Sequence, residues 1–493
     1  MTASDATPDG GRRDGDAARV TALLGREPRG AWDVVVRDAA GEPVVVRNAP
    51  LLDDGTPMPT RYWLVGAAAS RAAGRLESEG GVDAAEREVP AGAIAATHAR
   101  YAAERDAAMP AAHAGPRPSG GVGGTREGVK CLHAHLAHWL AGGEDAVGEW
   151  IAGRLAPPVA AIDVGSNSTN LLVLDGAGAE LARRVSVTRL GEGLSGPAPA
   201  AGTSSHGSGP AGAPRLSEAA MARTLAALAD YRRECDRLGV RLARLVGTAA
   251  CRRAANAHEF AARVRAETGW ELEVASAARE ASLAWAGGVG AGTTPAADAA
   301  GASPVTVLVD IGGASTEIAV GPAHSASIAH GAVSVTESHL AHDPPRPEEL
   351  TNAIAVVGDA VTDLAAERAG DAAWAALRAA GAGRRAIGVA GTIVTAAAVE
   401  IGLREWDAGR LHGFVLTRAA AEDVFRTLAT EALADRVHNP GLPRERADVI
   451  VGGCCVLVAI MRRLALDEIV VSTRSLLDGL AAEARRATLV APT

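Results

Sequence analysis

Two stretches of this chain bring together residue types that can work on phosphate, AIDVGSNSTNLLVLD at 161–175 and LVDIGGASTEIAVG at 308–321. Laid over each other, Asp163 meets Asp310, Gly165 meets Gly312, Ser168 meets Ser315 and Thr169 meets Thr316, and then Asn170 stands opposite Glu317. Glycine lets a backbone approach a ligand closely, and successive free N–H groups make an anion-binding nest. Serine and threonine hydroxyls add donors for phosphate oxygens. An aspartate at a strand end can hold a metal ion directly or through water. Each copy reads as a β-hairpin: a strand ending in Asp, a turn of small residues, then a second strand. Two such hairpins, one per homologous half, would face each other across a cleft and clamp a polyphosphate from both sides. The chain has no Gly-x4-Gly-Lys-Ser/Thr loop and no Gly-x-Gly-x-x-Gly fingerprint, so those devices are not expected to hold the phosphate.

The elements that must position these turns alternate strand and helix, as in an α/β domain. Ala156-Pro157-Pro158 marks a boundary, and a strand starts at Val159. The stretch 216–239 reads as a helix with Ser217 as N-cap and Gly239 as the stop. VIVGGCCVLVAIM at 449–461 reads as a buried helix in which Cys454 and Cys455 are packing. Residues 195–214 read as a flexible insertion and 286–304 as the join before the second repeat. Ahead of the boundary, residues 1–18 read as a disordered tail. Residues 19–156 form a small α+β unit, with β-rich runs WDVVVRD and EPVVVRN around an AAGE turn and a helical end at 126–143.

A chain of 493 residues, 48% hydrophobic and 22% charged, suits a soluble globular protein of several domains. The net charge of −9 argues against nucleic-acid or anionic-membrane partners. A polyanionic ligand must therefore be met locally, by backbone N–H groups, a few arginines and a metal ion. No apolar run reaches the ~18 residues of a membrane span. The start, MTASDATPDGGRRDGD, has no apolar core and reads as a polar tail. Five cysteines, two of them adjacent, make no disulfide framework. A cytoplasmic location is expected.

Residues 158–493 resemble the exopolyphosphatase/guanosine pentaphosphate phosphohydrolase family. Besides the two repeats, the motifs that carry the resemblance are TRLGEGL (188–194), GTAACRRAAN (247–256), VASAAREASLAWAG (274–287), GVAGTIVTAAA (388–398), HGFVLTR (412–418), PGLPRERADVIVGG (440–453) and VSTRSLLDGL (471–480). The resemblance implies an α/β fold: an actin-like (ribonuclease H-like) two-lobed phosphohydrolase core preceded by a small α+β domain. The lobes would span 158–298 and 299–493, and the C-terminal helix can pack back on the first. The implied catalytic set is Arg252, Glu280, Asp310 and Glu317. Glu317 would orient and deprotonate a water, and Glu280 would assist it or bind metal. Asp310 would hold the metal, and Arg252 would pair with phosphoryl oxygens. Phosphate contacts would come from Gly165, Ser166, Asn167 and Ser168 in the first turn and from Gly312, Gly313, Ala314, Ser315 and Thr316 in the second. Gly391 and Thr392 would add a third loop. Mg²⁺ (or Mn²⁺) would sit on Asp163, Asp310 and Glu280. The expected substrate is inorganic polyphosphate, the alternative guanosine pentaphosphate, and the expected assembly a homodimer.

Two departures from the family pattern stand out. The second loop reads Gly312-Gly313-Ala314 where three glycines are usual, and the usual glutamate pair reads Arg279-Glu280, after Ala277. An actin-fold kinase and a polyphosphate sensor without catalysis remain open, and Arg189 reads either as a phosphate-path residue or as a surface arginine. Residues 20–155 resemble a family of small bacterial proteins of unknown function, through GREPRG, PVVVRNAPLLDDGTPMPTRYWLVG and GTREGVKCLHAHLAH. If the last of these is helical, Cys131, His135 and His138 share one face and become candidate Zn²⁺ ligands.

Overall fold

In the computed structural model, the described residues are 15–194, 214–289, 305–381 and 384–490. The expected tail up to residue 14, most of the insertion at 195–214 and most of the join at 286–304 lie outside them. The chain divides into two compact units. One takes the described residues up to Val159, with Leu174–Glu180 and the described residues from Glu483 onward; the other takes Ala160–Val173 and Leu181–Ala482.

The first unit is α+β. Strands β1 (Trp32–Arg37), β2 (Pro43–Asn48) and β3 (Tyr62–Leu64) form an antiparallel sheet in that order. Asp38 fixes the turn between β1 and β2 by accepting from the backbone N–H groups of Ala40 and Glu42. Val44, Val45, Tyr101, Leu132, Leu136 and Ile151 lie in its main core.

The second unit contains two sheets. The first orders β4 (Val159–Val164), β5 (Ser168–Leu174), β6 (Glu180–Val187), β7 (Leu242–Gly247) and β8 (Leu272–Val274) as β6-β5-β4-β7-β8. The second orders β9 (Val305–Ile311), β10 (Thr316–Ala319), β11 (Ser325–Ile328), β12 (Arg384–Val389), β13 (Val415–Thr417) and β14 (Glu468–Val471) as β11-β10-β9-β12-β14-β13. Counted along the chain, the first runs third, second, first, fourth, fifth and the second third, second, first, fourth, sixth, fifth; the two orders match once β13, which pairs antiparallel outside β14, is set aside. The repeat seen in the sequence is therefore a repeat of topology. Each sheet has its own core, around Ile162, Leu171 and Phe260 in one and Val307, Val309, Ile318 and Ile393 in the other.

Helices form where the sequence signals them. Glu218–Arg237 begins after Ser217, whose side chain accepts from the Ala220 N–H at 3.2 Å, and Gly239 follows in the left-handed region. Ile450–Arg463 is buried at every position from Ile450 to Met461, which accounts for its all-round apolar sequence. Among the described residues no helix is long and apolar enough to cross a membrane.

Candidate active site

Both repeats fold as hairpins with the same turn. The Gly165 N–H donates to the Ser168 carbonyl at 3.0 Å, and the Gly312 N–H to the Ser315 carbonyl at 3.0 Å. The outward carbonyls of each turn are taken up by a neighbouring segment. In the second turn, Gly312 O accepts from Ala332 N, and Gly313 O from Val333 N and Ser334 N, at the start of the helix Ala332–His339. In the first, Ser166 O accepts from Gly191 N, and Asn167 O from Thr188 N and Arg189 N. A trans peptide points its N–H opposite its C=O. The N–H groups of Gly313, Ala314 and Asn167 are thus turned the other way, and none meets an acceptor among the described residues. The two turns face each other: a Cβ added to Gly313 would lie 3.2 Å from Ser166 Cβ and 3.3 Å from Asn167 N. This is a two-sided cradle of backbone donors, the geometry an anion takes.

The carboxylates converge on it. Asp310 and Glu317 are direct partners across β9 and β10, and Glu317 is in turn paired with Ser327 on β11. Glu317 is 3% exposed and Glu280 5%, while Asp163 and Asp310 are half-buried at the strand ends. Glu317 Oε1 accepts from Ser315 Oγ and from Ser327 Oγ, both at 2.9 Å. No side-chain donor among the described residues reaches its Oε2. In the first hairpin the corresponding pair is Asp163 and Asn170, joined by an Asn170 Nδ2 donation to Asp163 Oδ2 at 3.1 Å. The asymmetry is chemical: an amide donates to the facing aspartate, whereas an ionised Glu317 has no proton to give Asp310 and accepts from serine hydroxyls instead.

Glu280 lies in the first turn of the helix Ala277–Gly288, N-capped by Ser276, where the helix dipole favours a negative charge. Arg252 donates to Glu280 Oε1 and, at 2.9 Å, to the Ala275 carbonyl. Of the four carboxylates, Arg252 pairs with Glu280, and its charge also acts on Glu317. Burial pushes the Asp163 carboxyl up to about 6 against the Asn170 hydrogen bond. Burial raises Asp310 well above the usual carboxylate range, with the charges of Glu317 and Asp163 adding to it. Glu280 is raised by burial and the Glu317 charge against the pull of Arg252. Glu317 is raised by burial against its two serine donors and Arg252. Such a set suits a hard divalent cation, and Asp163 Oδ1 is sealed in the protein with no hydrogen-bond partner. No group of three His, Cys, Asp or Glu side chains among the described residues is assembled to hold a metal by itself. Asp163, Asp310 and Glu280 are thus not brought together as a three-carboxylate site; an ion such as Mg²⁺ typically takes one or two carboxylates and completes its shell with water and phosphate oxygens.

A sequence profile of the Ppx/GppA phosphatase family matches residues 180–485. The chain belongs to the Ppx/GppA phosphatase family. Among its relatives, exopolyphosphatase 2 of Mycobacterium tuberculosis is 31% identical over 348 residues, covering 66% of this chain and 97% of the relative. The guanosine-5'-triphosphate,3'-diphosphate pyrophosphatase of Vibrio cholerae is 30% identical over 339 residues, 66% of this chain but only 59% of that protein. A crystal structure of an exopolyphosphatase-like protein superposes with a TM-score of 0.56 at 27% identity, over 67% of this chain and 99% of that one. An exopolyphosphatase from Cytophaga hutchinsonii shares the fold, with a TM-score of 0.54 at 22% identity over 65% and 96% of the two chains. The Ppx/GppA part thus has an α/β phosphohydrolase core, built on two sheets that repeat one strand order. Residues 34–153 match a family described only as proteins of unknown function (DUF501).

Not every residue expected at the Ppx/GppA site faces the cradle. Thr316 is fully buried and donates its hydroxyl to the His330 carbonyl at 2.6 Å, so it cannot donate to phosphate. The single proton of the Ser315 hydroxyl goes to Glu317. Thr392 packs against the helix Ile450–Arg463, 3.0 Å from where a Cβ on Gly453 would lie. Ala314 is 8% exposed, so its extra methyl adds little surface to the cleft. Arg279 pairs with Glu273 at 3.1 Å, and Arg189 pairs with Asp448 at 2.7 Å.

Two residues escaped sequence reasoning. Ser327 is visible only once β11 is paired with β10. Arg446 lies in PGLPRERADVIVGG, where nothing by type separates it from Arg444. Its guanidinium lies against Gly391, whose Cβ would fall 1.8 Å from Nη1, and it has no ion-pair partner among the described residues.

The Zn²⁺ expectation in the first unit is overturned. The helix starts at Leu132, leaving Cys131 as its extended N-cap rather than on the histidine face. His135 and His138 turn their Nδ1 atoms to Asp145, at 2.9 and 3.0 Å. Asp145 also N-caps the next helix by accepting from Val147 N and Gly148 N. Burial alone would raise the Asp145 carboxyl, but the two histidine N–H groups outweigh it and hold it at about 2.

Proposed function

We propose that this chain is an exopolyphosphatase, releasing orthophosphate from the end of inorganic polyphosphate by attack of water on the terminal phosphorus. The observation that carries the reading is the asymmetry of the repeat. One hairpin keeps an amide that stays with its aspartate; the other carries a carboxylate whose two serine donors both go to Oε1, leaving Oε2 without a side-chain donor. Terminal phosphoryl oxygens accept hydrogen bonds from the N–H groups of Gly313, Ala314 and Asn167. Glu317 Oε2 accepts a proton from water as the new P–O bond forms and the bridging P–O bond breaks, the chain leaving one phosphate shorter. Arg252, held through Glu280, donates to oxygens on which charge develops. Asp163 and Asp310 would hold Mg²⁺ (or Mn²⁺), with water and phosphate oxygens completing its shell; when bound, the ion would neutralise charge between carboxylates and phosphate.

A relative matched over 97% of its length is called an exopolyphosphatase, which favours polyphosphate. Guanosine pentaphosphate is the second reading, because it ends in the same phosphoanhydride and relatives named for that activity match as well. Orthophosphate release with Mg²⁺ from long-chain polyphosphate, short-chain polyphosphate, guanosine pentaphosphate and ATP, measured side by side without an acceptor, separates them. Release from polyphosphate supports the first reading, release only from the nucleotide the second, and binding without release a sensor.

A further inference from the structure

We infer that Ser327 is a positioning residue for hydrolysis: its hydroxyl, together with that of Ser315, pins Glu317 Oε1 and so turns Oε2 toward the attacking water. The inference rests on Glu317 serving as the base. Residues paired across antiparallel strands share a face of the sheet. Asp310, Glu317 and Ser327 are paired in a row across β9, β10 and β11, and so lie on one face. Their neighbours Ile311, Ile318, Ala326 and Ile328 are buried in the core.

A terminal carboxylate torsion is broad and two-fold, so the two oxygens of a Glu exchange unless something tells them apart. Ser315 and Ser327 do so. They approach from different segments, Ser315 from the turn before β10 and Ser327 from β11, and both reach Oε1 at 2.9 Å. Two donors from two directions fix the plane of the carboxylate. One donor leaves it free to swing about the remaining bond. Ser315 stands two residues from Glu317 on the same chain segment and moves with it. Ser327 comes from β11 and ties the base to the sheet. Its contribution appears only when the base must point, so it is expected in turnover and not in substrate capture.

The test is steady-state orthophosphate release from polyphosphate with Mg²⁺ by the full chain, for wild type, Ser327→Ala and Ser327→Thr, with melting curves to show that each variant is folded. Ser327→Ala is expected to lower kcat by roughly ten- to a hundred-fold and to leave KM within about two-fold. Ser327→Thr, which keeps a hydroxyl on the same strand, is expected to recover most of the rate. Unchanged kcat in Ser327→Ala overturns the inference while leaving the hydrolase reading intact. A rise in KM with unchanged kcat also overturns it, by making Ser327 a phosphate contact. A folded wild type without release overturns both.

Discussion

Replacing Glu317 by Gln separates the base from its setting. An amide carbonyl at the position of Oε1 can accept from both Ser315 and Ser327, now at 2.9 Å, while the NH₂ takes the place of Oε2. A hydrogen bond to a neutral acceptor is worth about 0.5–1.5 kcal/mol and one to a charged acceptor about 1.5–3, so the exchange weakens two bonds by ~2 kcal/mol together. Against that stands the removal of a carboxylate whose folded pKa is raised by burial. A group raised in this way contributes stability only below its unfolded pKa and loses it as pH rises, so at pH 7–8 it works against folding. In metal-free buffer at that pH, Glu317→Gln is expected to melt no lower than wild type, and higher where desolvation dominates. Activity moves the other way. General-base catalysis is worth about 10²–10⁴-fold, so kcat for phosphate release should fall by that factor while polyphosphate binding, followed by titration, stays within a few-fold. A Glu317→Gln protein that still turns over within ten-fold of wild type would refute the assignment of the base. Loss of binding together with turnover would make Glu317 a structural residue instead.

Three further outcomes follow from the geometry. Gly313→Ala places a methyl 3.2 Å from Ser166 Cβ and 3.3 Å from Asn167 N; the turns must part by tenths of an ångström, and kcat/KM should drop on the order of ten-fold with a modest loss of melting temperature. Arg446→Gln should raise KM for polyphosphate by roughly ten-fold or more, as expected for a charge-assisted phosphate contact, with kcat little changed; kinetics that do not move would assign Arg446 to packing against Gly391. Asp145→Asn should destabilise the first unit by ~2–4 kcal/mol at pH 7, through a lost buried partner and a weakened cap. The Asp145 pKa is depressed, so its contribution is present above ~4 and is lost as pH falls through about 2. Calorimetry across that window should show the gap between wild type and variant closing, and a constant gap would contradict the pairing.

The hairpins and the strand–helix alternation were legible in the sequence because they depend on local order: turn glycines and period-two strands. Arg252 and Glu280 were singled out only by their place in motifs that resemble the family's, and the roles of Asp310 and Glu317 came from the same resemblance. What was not legible depends on which strand lies beside which. Thr316 looks like a phosphate donor in the string GGASTE, but one residue of β alternation turns it inward to His330 O, while its neighbour Glu317 points to the site. Asn170 looks like a lesser copy of Glu317 until its amide is seen on Asp163. In the first unit, the i, i+4, i+7 spacing of Cys131, His135 and His138 assumed a helix that in fact begins one residue too late for the cysteine. Asp145, a cap residue from the following loop, supplied a partner that spacing alone could not reveal.

The central claim is that water, directed by Glu317, attacks the terminal phosphorus. Polyphosphate incubated with the full chain and Mg²⁺ in ¹⁸O-labelled water tests it directly, with the released orthophosphate read by mass spectrometry. One ¹⁸O per orthophosphate, from the first turnover and without an added acceptor, is the expected result. Orthophosphate lacking the label, or none until an alcohol acceptor is supplied, would contradict it.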